Sequence, residues 1–332
     1  MEGTAESRLD RVGGHLARVP VRFLASRLLG ALGVLLAISF IVFVLQELAP
    51  GDLAESLLPS GVPVRPQTLA AINHEYGLDK PLLSRYVSWL GGAVHLDFGT
   101  SVRTGASVSS LLAAHVAITL ELGLTAFVVA MAGGVSLGTA AALHHRGKLD
   151  RGLVGLVVAL VSSPPFVLGL LLAYALSYKL DLLPATGAGS GFSGRVEHLI
   201  LPSIALAFTA LALVMKLTRA AMLATLDQDY ATFATARGIP RRKVILNYAL
   251  RNAAITIVGA GGIVLGYVLT GAVLVESVFA LPGLGSLLVD SARQHDIPAI
   301  QGIAMLFAVF IIAVNFVTDV VYAAIDPRLR LS

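Results

Sequence analysis

The chain has 332 residues but no cysteine, a single tryptophan and few charged side chains. The absence of cysteine excludes a thiol nucleophile, an all-cysteine zinc or iron–sulfur centre and every disulfide. Charged residues make up 13% of the chain, about half of the share found in a typical soluble domain. An ordinary water-soluble protein is therefore excluded.

The sequence contains several long segments without charged residues. Hydrophobic residues account for 56% of the chain, and six stretches of 17 to 27 residues contain no Lys, Arg, Asp or Glu. A helix that crosses a bilayer needs about 20 consecutive apolar residues. The sequence therefore predicts an all-α, polytopic helical membrane protein with six transmembrane helices. The stretches are Leu28–Leu45, Leu122–Leu143, Gly152–Tyr178, Leu199–Met215, Ala253–Val275 and Ile297–Thr318.

The positive charges predict the orientation of these helices. With the N-terminus in the cytoplasm, the inner segments hold 17 of the 24 Lys and Arg residues and the outer segments hold 7. Cytoplasmic loops carry such an excess, so we predict that both termini are cytoplasmic. The predicted segments are a cytoplasmic N-terminal segment 1–27, a first transmembrane helix 28–48, an external cap loop 49–116 with short helices, a five-helix core 117–325 that includes a cytoplasmic loop 216–252, and a cytoplasmic tail 326–332.

The cytoplasmic loop contains a short helix with clear end signals. Asp229 places an acidic group at its start, where it can accept hydrogen bonds from free N–H groups, and Gly238 can adopt the left-handed conformation that ends a helix. Pro240 then begins a second helix. Helical spacing places an aromatic and small-residue stripe on one face, which either a partner protein or the bundle itself could bury. The stripe consists of Tyr230, Phe233, Ala234 and Arg237.

These residues carry a resemblance to a known family. The pattern D-Y-x-x-x-A-x-A-x-G at 229–238, followed by R-R-x-V-I-L-x-x-A-L-R-N at 241–252, resembles the coupling loop of ABC importer permeases in the dipeptide, oligopeptide and nickel branch. The general pattern begins Glu-Ala-Ala, whereas this chain has Thr232, Phe233 and Ala234; Thr256 stands where the branch tends to have proline. Further matching motifs are Leu48–Asp52, Tyr76–Leu82, Leu96–Ser101, Val275–Phe279, Pro282–Gly285 and Val320–Arg328.

The resemblance implies a type I ABC importer permease fold and a B-type permease subunit of the bacterial inner membrane. It implies no catalytic residue and no cofactor in this chain, with ATP and Mg²⁺ held by partner subunits. The implied partners are a homologous second permease, two ATP-binding subunits, an extracytoplasmic substrate-binding protein docked over the cap, and membrane lipid. The implied ATPase-coupling residues are Asp229, Tyr230, Phe233, Ala234, Arg237 and Gly238.

The resemblance implies di- or oligopeptides as the substrate, with nickel or a metal chelate as the alternative. A self-contained secondary transporter or channel is the alternative from another class. The chain has no G-x-x-x-x-G-K-[ST] phosphate-binding pattern, so we expect nucleotide to bind elsewhere. No nucleic-acid-binding motif accompanies the basic run Arg241–Lys243, and we expect it to meet lipid headgroups. No metal site is predicted.

Polar and helix-breaking residues inside the spans are candidates for lining a translocation path. Pro164 and Pro165 lie in the middle of the third stretch, where each removes a backbone hydrogen bond. A packing kink is the alternative. Near the ends of other spans, Glu121, Glu276 and Asp319 favour placement at the membrane interface, since a carboxylate is costly in hydrocarbon. The candidates for the path are Ser162, Ser163, Pro164, Pro165, Phe166, Asn315 and Asp319.

Overall fold

The computed structural model describes residues 21–47 and 80–325. The segments 1–20, 48–79 and 326–332, with the motif Leu48–Asp52 and most of Tyr76–Leu82, lie outside the described residues. The helices are α1 Val21–Glu47, α2 Leu82–Val94, α3 Val108–Leu143, α4 Lys148–Val161, α5 Pro165–Leu172, α6 Gly191–Leu226, α7 Asp229–Ala236, α8 Arg241–Val278, α9 Leu284–Arg293 and α10 Ile297–Ile325. A π-helical segment, Ala173–Lys179, extends α5, and another, Val244–Leu250, lies within α8.

Five of these helices, α1, α3, α6, α8 and α10, are long and apolar enough to cross a membrane. The third predicted span, Gly152–Tyr178, differs from the expectation of one helix. It consists of α4 and the extended α5, which meet at an angle of 105°. Counting that bent pair as one span gives up to six, which agrees with the predicted all-α membrane fold.

The observed helices extend beyond the uncharged stretches that predicted them. α3 begins at Val108, where the Ser107 side chain accepts a hydrogen bond from the Ser110 N–H. α3 therefore begins nine residues before residue 117, where the five-helix core is predicted to start. α6 likewise continues through Lys216 and ends at Leu226.

Glycine brings α3 and α6 into close contact. An added Cβ at Gly134 would lie 2.5 Å from the Cβ of Val214, and one at Gly138 would lie 2.7 Å from the Met215 carbonyl oxygen. Small residues permit this approach between helices in lipid, where no hydrophobic force drives them together. α3 and α6 therefore pack as one unit, and together with α8 they form the main apolar core.

α2 is a short helix within the segment 49–116, where short helices are expected. Its apolar residues Leu83 and Val87 are exposed. Tyr86 is buried instead, and its hydroxyl lies 2.7 Å from Ser39 Oγ on α1. Tyr86 also stacks edge-to-face on Phe43 of α1, with ring centroids 5.6 Å apart. α2 is therefore held on the first span by an aromatic contact.

A buried carboxyl group holds α9 in place. Glu276 lies near the end of α8, as expected, and its side chain is fully buried within the protein. Thr119 donates a hydrogen bond of 2.7 Å to Glu276 Oε1, and Oε2 accepts from the N–H groups of Gly285 at 2.7 Å and Ser286 at 3.1 Å. These donors at the N-terminus of a helix compensate the burial.

The same network explains the glycines of the Pro282–Gly285 motif. A Cβ at Gly283 would clash with Glu276 Oε2, and a Cβ at Gly285 would clash with the Val273 Cα. Only glycine allows the backbone to come this close to the carboxyl group. The motif is therefore a structural element that seats α9 against α8.

We expect Glu276→Ala to destabilise the protein, because it strands the Thr119 hydroxyl and two backbone N–H groups. Each stranded buried donor costs about 1–3 kcal/mol. The control is Glu121→Ala, which removes an exposed ion pair with Arg195 at 3.0 Å, a kind of pair that contributes about 0–1 kcal/mol. Thermal unfolding of the purified protein measures both changes. Equal unfolding temperatures for the two variants would contradict the assigned role.

Candidate functional site

The short helix α7 ends in a defined capping motif. The N–H of Gly238 donates to the Thr235 carbonyl at 3.0 Å, and the N–H of Ile239 donates to the Ala234 carbonyl at 3.1 Å. Gly238 has a φ of +75°. This pair of bonds around a left-handed residue is the Schellman motif, so the predicted glycine stop is confirmed in structure. Pro240 then stands immediately before α8, as expected.

The start of α7 differs from the expectation. The residue at the N-cap is Gln228, and no side chain caps the helix. Asp229 is the first helical residue instead of the capping acceptor, although an acidic group in the first turn still interacts favourably with the helix dipole.

The two faces of α7 have different surroundings. Ala231 and Ala234 are buried and pack with Val244 of α8. Of the predicted stripe, Ala234 is therefore covered by the protein's own bundle. Tyr230 is 41% exposed and Phe233 is 67% exposed. Arg237, at the helix end, is exposed with them. α7 thus presents two aromatic side chains and a cation away from its own bundle.

The two serines before the break between α4 and α5 form hydrogen bonds back to carbonyls of α4. Ser162 Oγ donates to the Val158 carbonyl at 2.8 Å, and Ser163 Oγ donates to the Ala159 carbonyl at 3.1 Å. Pro164 caps α5, and Pro165 takes its first position, where a missing N–H is not needed. The two prolines therefore separate two helices and do not kink one.

The path candidates near this break are only partly covered. Ser162 and Pro164 are exposed, whereas Ser163, Pro165 and Phe166 are half-buried. These five residues lie at one bend, and within the described part of the chain they do not enclose a channel. Their role in a translocation path stays a prediction.

The two candidates on α10 are not brought together as a polar pair. Asn315 is exposed. Asp319 Oδ2 lies 3.2 Å from Nε of Arg27 on α1, so its ion pair joins the last span to the first. A role for Asn315 and Asp319 in the path likewise stays a prediction.

Sequence reasoning missed a polar cavity beside α9. Its volume is about 440 Å³, and it is lined by charged side chains from three separate segments, Arg103, His115, Asp290 and Arg293 among them. These segments are separated in the sequence, and no pattern in the sequence indicates that they meet in the fold. Across the described ranges, no group of three or more His, Asp or Glu side chains is arranged to hold a metal ion.

The chain is similar to known proteins over nearly its full length. Residues 134–331 match the family described as binding-protein-dependent transport system inner membrane component, and residues 20–122 match the N-terminal family of the same membrane components. A protein of Brucella suis biovar 1 named as a peptide permease is 36% identical over 318 residues, which cover 94% of this chain and all of the relative.

Another relative and one solved structure complete the comparison. The glutathione transport system permease protein GsiC of Escherichia coli K12 is 36% identical over 310 residues, covering 93% of this chain and 99% of the relative. An inward-facing structure of the MetNI methionine ABC transporter superposes with a TM-score of 0.56 at 16% identity, covering 65% of this chain and 96% of that one. At this identity the likeness concerns the fold, which is that of a type I importer permease. The chain belongs to the family of inner membrane components of binding-protein-dependent transport systems.

Proposed function

We propose that the chain is the permease subunit of an ATP-driven ABC importer for di- or oligopeptides, and that it forms half of the translocation path. The observation that carries the proposal is the outer face of α7. Tyr230 and Phe233 are large, exposed and apolar on a helix of eight residues, which is too short to cross a membrane. Aromatic residues and arginine are enriched where proteins bind one another. A groove on a cytosolic ATP-binding subunit is the expected site for this face.

The contacts of α7 would allow it to move as a rigid unit and to transmit that movement to the neighbouring spans. Its inner face is held by Ala231, Ala234 and Val244, and the capping motif at Gly238 fixes its angle to α8. α7 follows α6 after Asp227 and Gln228, so it lies between two spans. When the ATP-binding subunits close, displacement of α7 would tilt both spans and exchange access between the two sides of the membrane. ATP and Mg²⁺ would act in those partner subunits.

The remaining partners follow from the family and the resemblance. A homologous second permease would supply the other half of the path, and a substrate-binding protein would deliver substrate at the external side. Both termini would be cytoplasmic, in agreement with the distribution of Lys and Arg. Peptide is favoured over nickel or a metal chelate because the relatives are named for peptide and glutathione transport.

We expect Gly238→Val to uncouple ATP hydrolysis from uptake. A Cβ at Gly238 would meet no atom within 4 Å, so the substitution acts only through the positive φ, which a β-branched residue strongly disfavours. Gly238→Asn is the matched control, because asparagine tolerates this conformation. Uptake per ATP hydrolysed should fall in the valine variant and remain near wild type in the asparagine variant. Unchanged uptake by a normally assembled valine complex would contradict the coupling role.

Reconstitution with defined partners tests the substrate and the class of transporter. The complete complex in vesicles should take up a labelled dipeptide in an ATP-dependent manner and should not take up nickel. The chain alone should move neither solute, because it has no energy source of its own. Nickel uptake without dipeptide uptake would favour the alternative substrate. Transport by the chain alone would show a secondary carrier or channel.

A further inference from the structure

A buried ion pair joins α4 to α6 at the cytoplasmic side of the bundle. Arg219 of α6 donates from Nε to Asp150 Oδ1 at 2.6 Å and from Nη2 to Asp150 Oδ2 at 2.8 Å. The backbone N–H of Arg146 donates to the same Oδ2 at 2.9 Å. His145 Nδ1 lies 3.2 Å from Arg219 Nη2. One carboxylate therefore holds the start of α4, the loop before it and the α6 side chain.

The geometry is that of a rigid clamp. A guanidinium that binds both oxygens of a carboxylate fixes the relative orientation of the two groups, which a lysine cannot do. The Asp150 side chain is 5% exposed and that of Arg219 is 25% exposed. Because both partners are largely shielded from water, separating them would leave a charge without compensation. α4 and α6 are therefore expected to move together at this point.

The position of the clamp connects α7 to the bent span. Arg219 lies seven residues before the end of α6 at Leu226, about two helical turns, and α7 begins at Asp229. Asp150 is in the first turn of α4, which ends at Val161 just before the break. A displacement of α7 thus reaches α4 through side chains, in addition to the chain connection.

Apolar contacts join the rest of α4 to the bundle. Val157 packs with Ala141, Ala212 and Met215, and Leu153 and Leu160 pack against the same cluster, while Val154, Leu156, Val158 and Val161 are exposed. Apolar contacts have no directional preference, and helices that share them can slide past one another in shear motions. The ion pair adds a directional, hydrogen-bonded link between α4 and α6.

We propose that Asp150 and Arg219 are positioning residues that make α4 follow α6, so that movement of α7 is transmitted to the break at Ser162–Pro164. The inference rests on the proposed function of α7 and extends it to a second site. It predicts that the pair determines how much uptake results from each ATP hydrolysed and not whether the complex assembles.

The main variant is the neutral double Asp150→Asn with Arg219→Gln. It removes both charges at once and leaves no uncompensated buried charge. In the reconstituted complex we expect uptake per ATP hydrolysed to fall about fivefold or more, the lower end of typical coupling between sites. Each single variant should show a similar loss, since residues that act as one unit are not additive. Arg195→Gln is the control, because it breaks an exposed ion pair of the same helix α6 with α3 and should change the ratio less than about twofold.

A distance measurement tests the clamp without relying on transport. The chain has no cysteine, so spin labels can be attached at Val158→Cys on α4 and Ala224→Cys on α6, both exposed positions. With the clamp intact, the distance between the labels should stay the same in the resting and the nucleotide-trapped complex. The neutral double should broaden or shift it. An unchanged distance in the double variant, or a wild-type uptake ratio, would overturn the proposal. A wild-type complex without ATP-driven peptide uptake would overturn the proposed function instead, and the label distances would still report on the clamp.

Discussion

Backbone hydrogen bonds cannot be left open in the hydrocarbon of a bilayer, because no water is present to replace them. Helices satisfy these bonds within one segment, and every described span is helical. The break between α4 and α5 meets the same demand by other means, since Ser162 and Ser163 bond back to carbonyls of α4. The bend of 105° is therefore compatible with a place inside the membrane.

The same environment determines how the helices hold together. Lipid gives no hydrophobic drive for helices to associate, so close contact has to supply the attraction. Gly134 and Gly138 allow close contact between α3 and α6. Where α9 meets α8, the hydrogen bonds of Glu276 hold the two helices together. α6 is thus supported along its length. A force applied where α6 leads into α7 would therefore act on a packed unit.

The sequence predicted the spans because charge is expensive in hydrocarbon, but it underestimated their lengths. α6 includes both Arg195 and Lys216. The hydrogen bonds of a helix can continue beyond the hydrocarbon, so a charged residue does not mark its end. The stop at Gly238 was predictable, because a left-handed glycine end is a local signal. Glu276 was not predictable as a buried group. Its donors are at Thr119 and in the turn before α9, and only the folded chain brings them to it.

Helical spacing also left the orientation of α7 undetermined. A period of 3.6 residues shows which side chains lie together, but not which face packs on the protein. Ala231 and Ala234 turned inward because a small side chain allows α7 to approach Val244 closely, and this leaves Phe233 outward. An isolated bundle that needed only to cover itself would bury the larger apolar side chain, which removes more apolar area from water. Exposure of the aromatic face and burial of the alanine face therefore argue that α7 is shaped for a second protein.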